Sequence, residues 1–181
     1  MFYPWGALWY VLATIIAVII LSIFIKKDKI KLALIISIFL FAFCLLGNSY
    51  YFLINGTFFQ KLMDIYLKIF MSSRNGLFAG FPLFTIGYYI SLKENIIDRI
   101  NIKKLFILFM LFILVQIYEV SKIRFLSNEY DYFIMTIPVV SLLLAICIKL
   151  KNLEIGFDTK IFRNLSTSIY FMHRPVIYLL F

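Results

Sequence analysis

Long runs of apolar residues, separated by short basic clusters, dominate the chain. A membrane-crossing helix needs about 20 such residues, with a range of roughly 17–25. Six segments come near that length: Pro4–Ile25, the shorter Ile30–Leu46, Gly76–Ser91, Leu105–Tyr118, Tyr132–Ile148, and a last one from about Leu165 to Phe181. The runs are too long and unbroken for the alternating strands of a barrel. A backbone in lipid must satisfy its own hydrogen bonds, so each segment is predicted to be a helix. One connection is itself patterned. Within residues 49–73, Phe58, Phe59, Leu62, Ile65, Tyr66, Ile69 and Phe70 recur at helical spacing, with Gln60, Lys61, Asp64 and Lys68 on the other side. Such a pattern predicts an amphipathic helix lying in the membrane interface, either a plain anchor or a lid or floor beside Arg74. The predicted fold class is all-α, a polytopic transmembrane helical bundle of about six spans plus one interfacial amphipathic helix. Linkers are short and no internal repeat or soluble domain is visible, so residues 1–181 read as a single membrane domain.

Composition sharpens this picture. The 181 residues are 64% hydrophobic and only 15% charged, against about 45–50% apolar and about 25% charged in soluble domains. A water-soluble fold of this size could not hide so much apolar surface. The net charge of +9 does not call for nucleic acid, because the basic residues sit in short clusters between apolar runs. Their distribution predicts orientation instead. Twelve basic residues follow the first, third and fifth spans: Lys26, Lys27, Lys29, Lys31, Lys93, Arg99, Lys103, Lys104, Lys149, Lys151, Lys160 and Arg163. The other two loops hold five: Lys61, Lys68, Arg74, Lys122 and Arg124. The positive-inside rule then places the first set in the cytoplasm and the N-terminus outside, in a cell inner or plasma membrane. Met1 to Ile25 lacks a basic leading region, so no cleavable signal peptide is expected. Cys44 and Cys147 both lie inside apolar runs, which suits packing better than a disulfide or a metal site.

Chemistry concentrates around Arg74-Asn75-Gly76, directly ahead of a glycine-studded apolar helix. A cation there opposes the helix dipole by roughly 0.3–1 kcal/mol, and an arginine near lipid is costly to keep dry. Two roles are open to Arg74: an interfacial anchor that snorkels to water, or a ligand for an anion that the free N–H groups of the helix start also attract. Ser72 and Ser73 are candidate N-caps, and Glu119 and Asp131 are candidate partners on the same predicted side. Gly76 and Gly80 have the GxxxG spacing that lets helices approach closely, and Pro82 interrupts the helix and frees a carbonyl. His173, the only histidine, stands beside Arg174. It is either a hydrogen-bonded structural residue or a proton-transfer group, and no carboxylate at short fixed spacing completes a constellation. Trp5 and Trp9, with Tyr3 and Tyr10, form an aromatic belt at the outer end of the first span, with sugar stacking as the lesser alternative. No P-loop, dinucleotide fingerprint, metal-ligand cluster or nucleophile elbow is found.

Three of these stretches together resemble the acyltransferase family 3 membrane proteins. Trp5 to Ala13, WGALWYVLA, resembles the family's Trp-rich helix start. Arg74 to Gly87, RNGLFAGFPLFTIG, is similar to its R-N-G-L-F-x-G-x-P-x-F-x-x-G pattern, the most specific of the three. Leu165 to Pro175, LSTSIYFMHRP, resembles its last-helix S-x-x-I-Y-x-x-H-x-P pattern. The resemblance implies transfer of an acyl group, usually acetyl from acetyl-CoA as donor substrate with no bound cofactor, to a hydroxyl of a cell-envelope glycan or similar acceptor. It carries over Arg74 and His173 as candidate catalytic positions, and Asn75, Gly76, Trp9 and Glu119 stand beside them as candidate substrate-binding residues. The family domain is longer, and its first helices, with a proposed catalytic histidine and further arginines, have no counterpart here. The chain therefore reads as an incomplete domain, with a partner chain as one source of the missing helices. The expected partners are the lipid bilayer and the envelope acceptor, without nucleic acid. Richness in Ile, Lys, Asn and Phe suits an AT-rich bacterial genome. The rival reading is non-catalytic: a membrane scaffold or a small transporter component.

Overall fold

The computed structural model describes residues 9–70, 72–73, 75–127 and 131–151. Among these the fold is all-helical, with no strand. Seven α-helices follow in order: α1 (Trp9–Lys26), α2 (Ile30–Leu46), α3 (Phe58–Phe70), α4 (Phe81–Ser91), α5 (Glu94–Arg99), α6 (Ile102–Ile123) and α7 (Thr136–Lys149). A 3₁₀ turn, Tyr51–Ile54, precedes α3, and a π-helical turn, Gly76–Gly80, runs straight into α4. The predicted second segment matches α2, and the third matches the π-turn plus α4. The predicted sixth segment lies outside the described residues.

Two predicted segments have other bounds than expected. The fourth extends as α6 past Tyr118 to Ile123, so Glu119 is helical. The fifth begins later, at Thr136, because Tyr132–Met135 form a capped approach: the Phe133 N–H donates to Thr136 Oγ1 at 3.2 Å, and the Thr136 N–H donates back to the Phe133 carbonyl at 3.1 Å. Among the described residues only α6, with 22 residues, is long and apolar enough by length and composition to cross a membrane; Val11–Lys26, Ile30–Leu46, Gly76–Ser91 and Thr136–Lys149 are apolar but shorter.

Helix α4 lies at the centre of the packing, with α1, α2 and α7 all against it, while α6 and α5 pack on α7. Small residues make the closest contact possible. Ala17 and Ala33 are fully buried with Phe81 and Leu21 where α1, α2 and α4 meet. A second cluster joins Phe41 and Leu45 of α2 to Ile123 of α6 and Phe133 ahead of α7. A third joins Ile97, Leu105, Ala145 and Ile146. The outer faces stay apolar: Phe39 is 72% exposed, Ile107 67% and Leu114 65%. A surface this continuous in large apolar side chains is suited to lipid. In that solvent, close packing and internal hydrogen bonds hold helices together in place of the hydrophobic effect.

Helix α3 divides its circumference three ways. Met63 is buried against the protein and Tyr66 and Leu67 are half-buried. Phe58, Leu62, Ile65 and Ile69, spaced as one helical stripe, are exposed, and Gln60, Lys61, Asp64 and Lys68 occupy the polar side. This is the amphipathic helix expected from the pattern.

Candidate functional site

The π-turn exists because of its sequence. Pro82 has no N–H to donate to the carbonyl four residues back, and its ring crowds that carbonyl. The turn before it widens: the Phe81 N–H donates to the Gly76 carbonyl, and the Gly80 N–H to the Asn75 carbonyl at 3.1 Å. Such bulges often mark functional segments. The turn also presses on α1. A Cβ placed on Gly76 would stand 2.7 Å from the Ala13 carbonyl oxygen, and one on Gly80 would stand 3.1 Å from it and 3.3 Å from Ala17 Cβ. Gly76 and Gly80 face Ala13 and Ala17, so small residues at spacing four meet small residues at spacing four, as the GxxxG reading expected.

Asn75 is the N-cap, in extended backbone at φ −144°. Its Oδ1 accepts from the N–H groups of Leu77 and Phe78, both at 3.0 Å. Its Nδ2 donates to the Tyr66 hydroxyl at 2.7 Å, and that hydroxyl donates to the Ser72 carbonyl at 3.5 Å. Ser72 and Ser73, the expected caps, are displaced from that role. Ser73 is buried, and its hydroxyl turns away to donate to the Cys44 carbonyl at 3.1 Å. Tyr66 sits in an aromatic cluster: edge-on to Phe43 at 5.2 Å and Phe78 at 5.5 Å, stacked on Phe70 at 4.9 Å, with Phe43 stacked on Phe78 at 4.6 Å. Helix α3 is thereby fastened to Ser72 and Asn75.

Glu119 is engaged at the approach to α7. Its Oε1 accepts from the Tyr50 hydroxyl and from the Ile134 N–H at 2.8 Å, and its Oε2 from the Met135 N–H at 3.1 Å. The carboxylate thus caps the start of α7, where N–H groups lack helical partners and the dipole favours negative charge. Burial, and then the Glu119 carboxylate, hold the Tyr50 phenol well above its ordinary pKa.

Arg74 and His173 lie outside the described residues, as does the side chain of Trp9, the first residue of α1. Of the expected site residues, the structure brings Asn75 and Gly76 together at one turn and sets Glu119 at the approach to α7. Two residues that sequence reasoning passed over belong to the same region. Tyr66 was counted only among the apolar positions of α3. Asn48 is 2% exposed; its Oδ1 accepts from the Ser49 hydroxyl and the Asp131 N–H, each at 3.0 Å. The polar Gly47-Asn48-Ser49 break after an apolar run was the available signal.

A cavity of about 360 Å³ opens between residues 47–55, Leu67 of α3, and Leu126 and Ser127 after α6. Gly47 both lines it and lies against Ser73, where an added Cβ would stand 2.8 Å from Ser73 Cβ. The cavity wall therefore backs directly onto the residue before Arg74. Among the described residues no group of three or more His, Cys, Asp and Glu side chains is placed to hold a metal.

An all-helical fold with lipid-suited outer faces and a braced Asn-Gly turn defines the class of protein. A sequence profile of acyltransferase family 3, described as an acyltransferase domain, matches residues 1–181, and the chain belongs to that family. It is a membrane-associated acyltransferase family. Among curated proteins and among solved structures, nothing matches the chain.

Proposed function

We propose that the chain forms part of a multi-pass membrane enzyme that transfers an acyl group, acetyl from acetyl-CoA, to a hydroxyl of a bacterial cell-envelope glycan or similar acceptor. The observation that carries this reading is the family match over the whole chain, together with the bracing of the turn that follows Arg74. In this reading Arg74 holds an anionic or carbonyl oxygen, where a fixed positive charge stabilises developing negative charge. Asn75 and Gly76 set the turn that presents it: one by capping, the other by allowing α1 to approach. His173 shapes the pocket or shuttles a proton.

In this reading the chain crosses an inner membrane six times with the N-terminus outside, and the contacts between connections support the alternation. Residues 48–50 bond to Ser127, Asp131 and Glu119, so the two poorly basic connections meet each other. Lys149 donates to the Asp98 carbonyl at 2.8 Å, and Lys151 pairs with Glu94, so two of the basic connections also meet each other. Such sorting is what alternating crossings produce.

A second reading, a non-catalytic membrane scaffold or transporter component, has one observation in its favour. Asn75, Gly76 and Glu119 all spend their contacts within the fold. The deciding experiment measures transfer of labelled acetyl from acetyl-CoA in membranes that carry the chain, with and without any partner that copurifies with it. Arg74→Ala is expected to abolish transfer while the protein remains folded. Undiminished transfer in that variant removes Arg74 from the reaction, and no transfer by the wild type favours the scaffold.

A further inference from the structure

The connection between α4 and α6 leaves most of its apolar side chains uncovered. It holds four of them, Leu92, Ile96, Ile97 and Ile100, and only Ile97 is buried, in the cluster with Leu105, Ala145 and Ile146. Leu92 is 57% exposed and Ile96 55%. The same stretch carries exposed basic side chains: Lys93, Arg99, and then Lys103 and Lys104 in the first turn of α6. Glu94 pairs with Lys151, while Arg99, Lys103 and Lys104 make no ion pair with a described residue. Large apolar side chains exposed among cations suit an element lying in a bilayer surface, with the apolar part at the acyl boundary and the charges among headgroups.

The segment is held in place. Helix α5 has six residues, too few to persist alone. Two lysines at the end of α7 fasten it. The Lys149 ammonium donates to the Asp98 carbonyl at 2.8 Å and to the Ile97 carbonyl at 3.5 Å, and Lys151 takes Glu94 in the first turn of α5. Asn101 fixes the other flank by capping α6, its Oδ1 accepting from the Lys103 N–H at 2.9 Å.

Helix α6 indicates what covers this surface. One turn after Lys103 and Lys104 come Phe106, Ile107 and Leu108, all exposed. Residues three and four apart share a face, so one face of α6 passes from ammonium groups to large apolar side chains within a turn. Lysine stems lie along apolar surface while the charged end reaches the polar layer. Since α6 is long and apolar enough to cross a membrane, the layer at its basic start is that of the headgroups. The groups there that complement Arg99, Lys103 and Lys104 are phosphates.

We propose that residues 92–104 bind anionic phospholipid of the adjoining leaflet. Leu92, Ile96 and Ile100 enter the acyl boundary, and Arg99, Lys103 and Lys104 hold the phosphates. This binding rests on α6 crossing the membrane and not on acyl transfer, so either reading can fail alone. Each basic side chain near an anionic surface strengthens association by about fivefold.

Two measurements on the full chain in lipid membranes test this. Electron spin resonance with spin-labelled phosphatidylglycerol and phosphatidylcholine reads their relative association with the protein. Phosphatidylglycerol is expected to associate more tightly by about fivefold or more. The triple variant Arg99→Gln, Lys103→Gln, Lys104→Gln, at exposed positions, is expected to lose most of that preference. Arg99→Gln alone, read if the triple variant does not fold, is expected to lower it about two- to fivefold. Equal association of the two lipids with the wild type, or a preference that a folded variant keeps in full, overturns the proposal. Displacement of phosphatidylglycerol by millimolar inorganic phosphate marks a site for a soluble anion and overturns it too. The second measurement is depth. Ile96→Cys carries a nitroxide in a Cys147→Ser background, where the remaining Cys44 is buried. Its relaxation is expected to respond more to oxygen than to a water-soluble nickel chelate, and that of Asp98→Cys more to the chelate. A label at 96 as open to the chelate as the one at 98, or shielded from both reagents by protein, overturns the proposal.

Discussion

Gly76 lies against the main chain of Ala13, close enough that an added Cβ would stand 2.7 Å from the Ala13 carbonyl oxygen and 2.9 Å from its Cα. The neighbour is backbone, so it cannot rotate away. Gly76→Ala is expected to destabilise the protein by about 1–3 kcal/mol, the usual cost of overpacking. Ala13→Gly should not rescue it, because the obstructing atoms are not the Ala13 side chain. Gly80→Ala meets its nearest atom at 3.1 Å, and alanine's better helix propensity, up to about 1 kcal/mol, offsets part of the strain. Thermal unfolding in detergent should therefore rank Gly76→Ala below Gly80→Ala. Equal midpoints would contradict the close contact with α1.

Asn75 joins two elements with one side chain, capping Leu77 and Phe78 and donating to Tyr66. Asn75→Ala is expected to cost about 0.5–2 kcal/mol as a lost cap. Asn75→Ser keeps a capping oxygen but loses the reach to Tyr66, so it should recover only part of that loss. Limited proteolysis should show α3 cut faster in both variants, because both release Tyr66. Activity per folded molecule separates the roles: a purely structural Asn75 predicts near wild-type turnover in Asn75→Ser, while a direct substrate contact predicts a loss that exceeds the stability change.

How far the sequence foretells this molecule depends on the range of the interactions. Helix α2 has the bounds its apolar run predicts, and the π-turn with α4 spans the third predicted segment, because those signals are local. Helix α5, six residues long, was not expected, since a turn and a half is too short for periodicity to register. Asn75 and Gly76 are legible as a helix start, but their partners Tyr66 and Ala13 lie in other elements that only the tertiary arrangement brings near. Glu119 shows the same limit. The sequence puts it on the same predicted side as Arg74, but nothing local in it foretells the N–H groups of Ile134 and Met135, 15 and 16 residues on, that its carboxylate meets. The cavity is the least legible feature, built from connections whose composition is unremarked and whose convergence no periodicity encodes.

That placement of Glu119 has a measurable consequence. Glu119→Ala leaves the Ile134 and Met135 N–H groups without their acceptor; Ile134 is exposed and Met135 half-buried, so water can replace it in part, and the expected cost is that of a lost cap, about 0.5–2 kcal/mol. Glu119→Gln retains one carbonyl oxygen, so it should fall between wild type and alanine. Hydrogen exchange is the direct measurement: amides 134 and 135 should lose protection in Glu119→Ala, while amides in the middle of α2 keep theirs. Unchanged protection at 134 and 135 would show that the carboxylate does not cap α7.

The Tyr50 phenol gives a pH test with a definite sign. Burial first, and then its hydrogen bond to the Glu119 carboxylate, raise its pKa well above the ordinary 10.0. The folded protein therefore holds this proton more tightly than the unfolded chain does. Stability from this site is fully present below about pH 10, the unfolded value, and is lost as pH rises from there through the higher folded value. Ultraviolet titration of tyrosinate should show a late-ionising phenol in the folded wild type that is absent from Tyr50→Phe and joins the ordinary set after unfolding. Tyr50→Phe should lower stability at neutral pH, since Glu119 loses a donor, and should flatten the decline above pH 10. A Tyr50→Phe variant whose alkaline decline is as steep as the wild type's would show that the folded protein does not hold the Tyr50 proton more tightly than the unfolded chain.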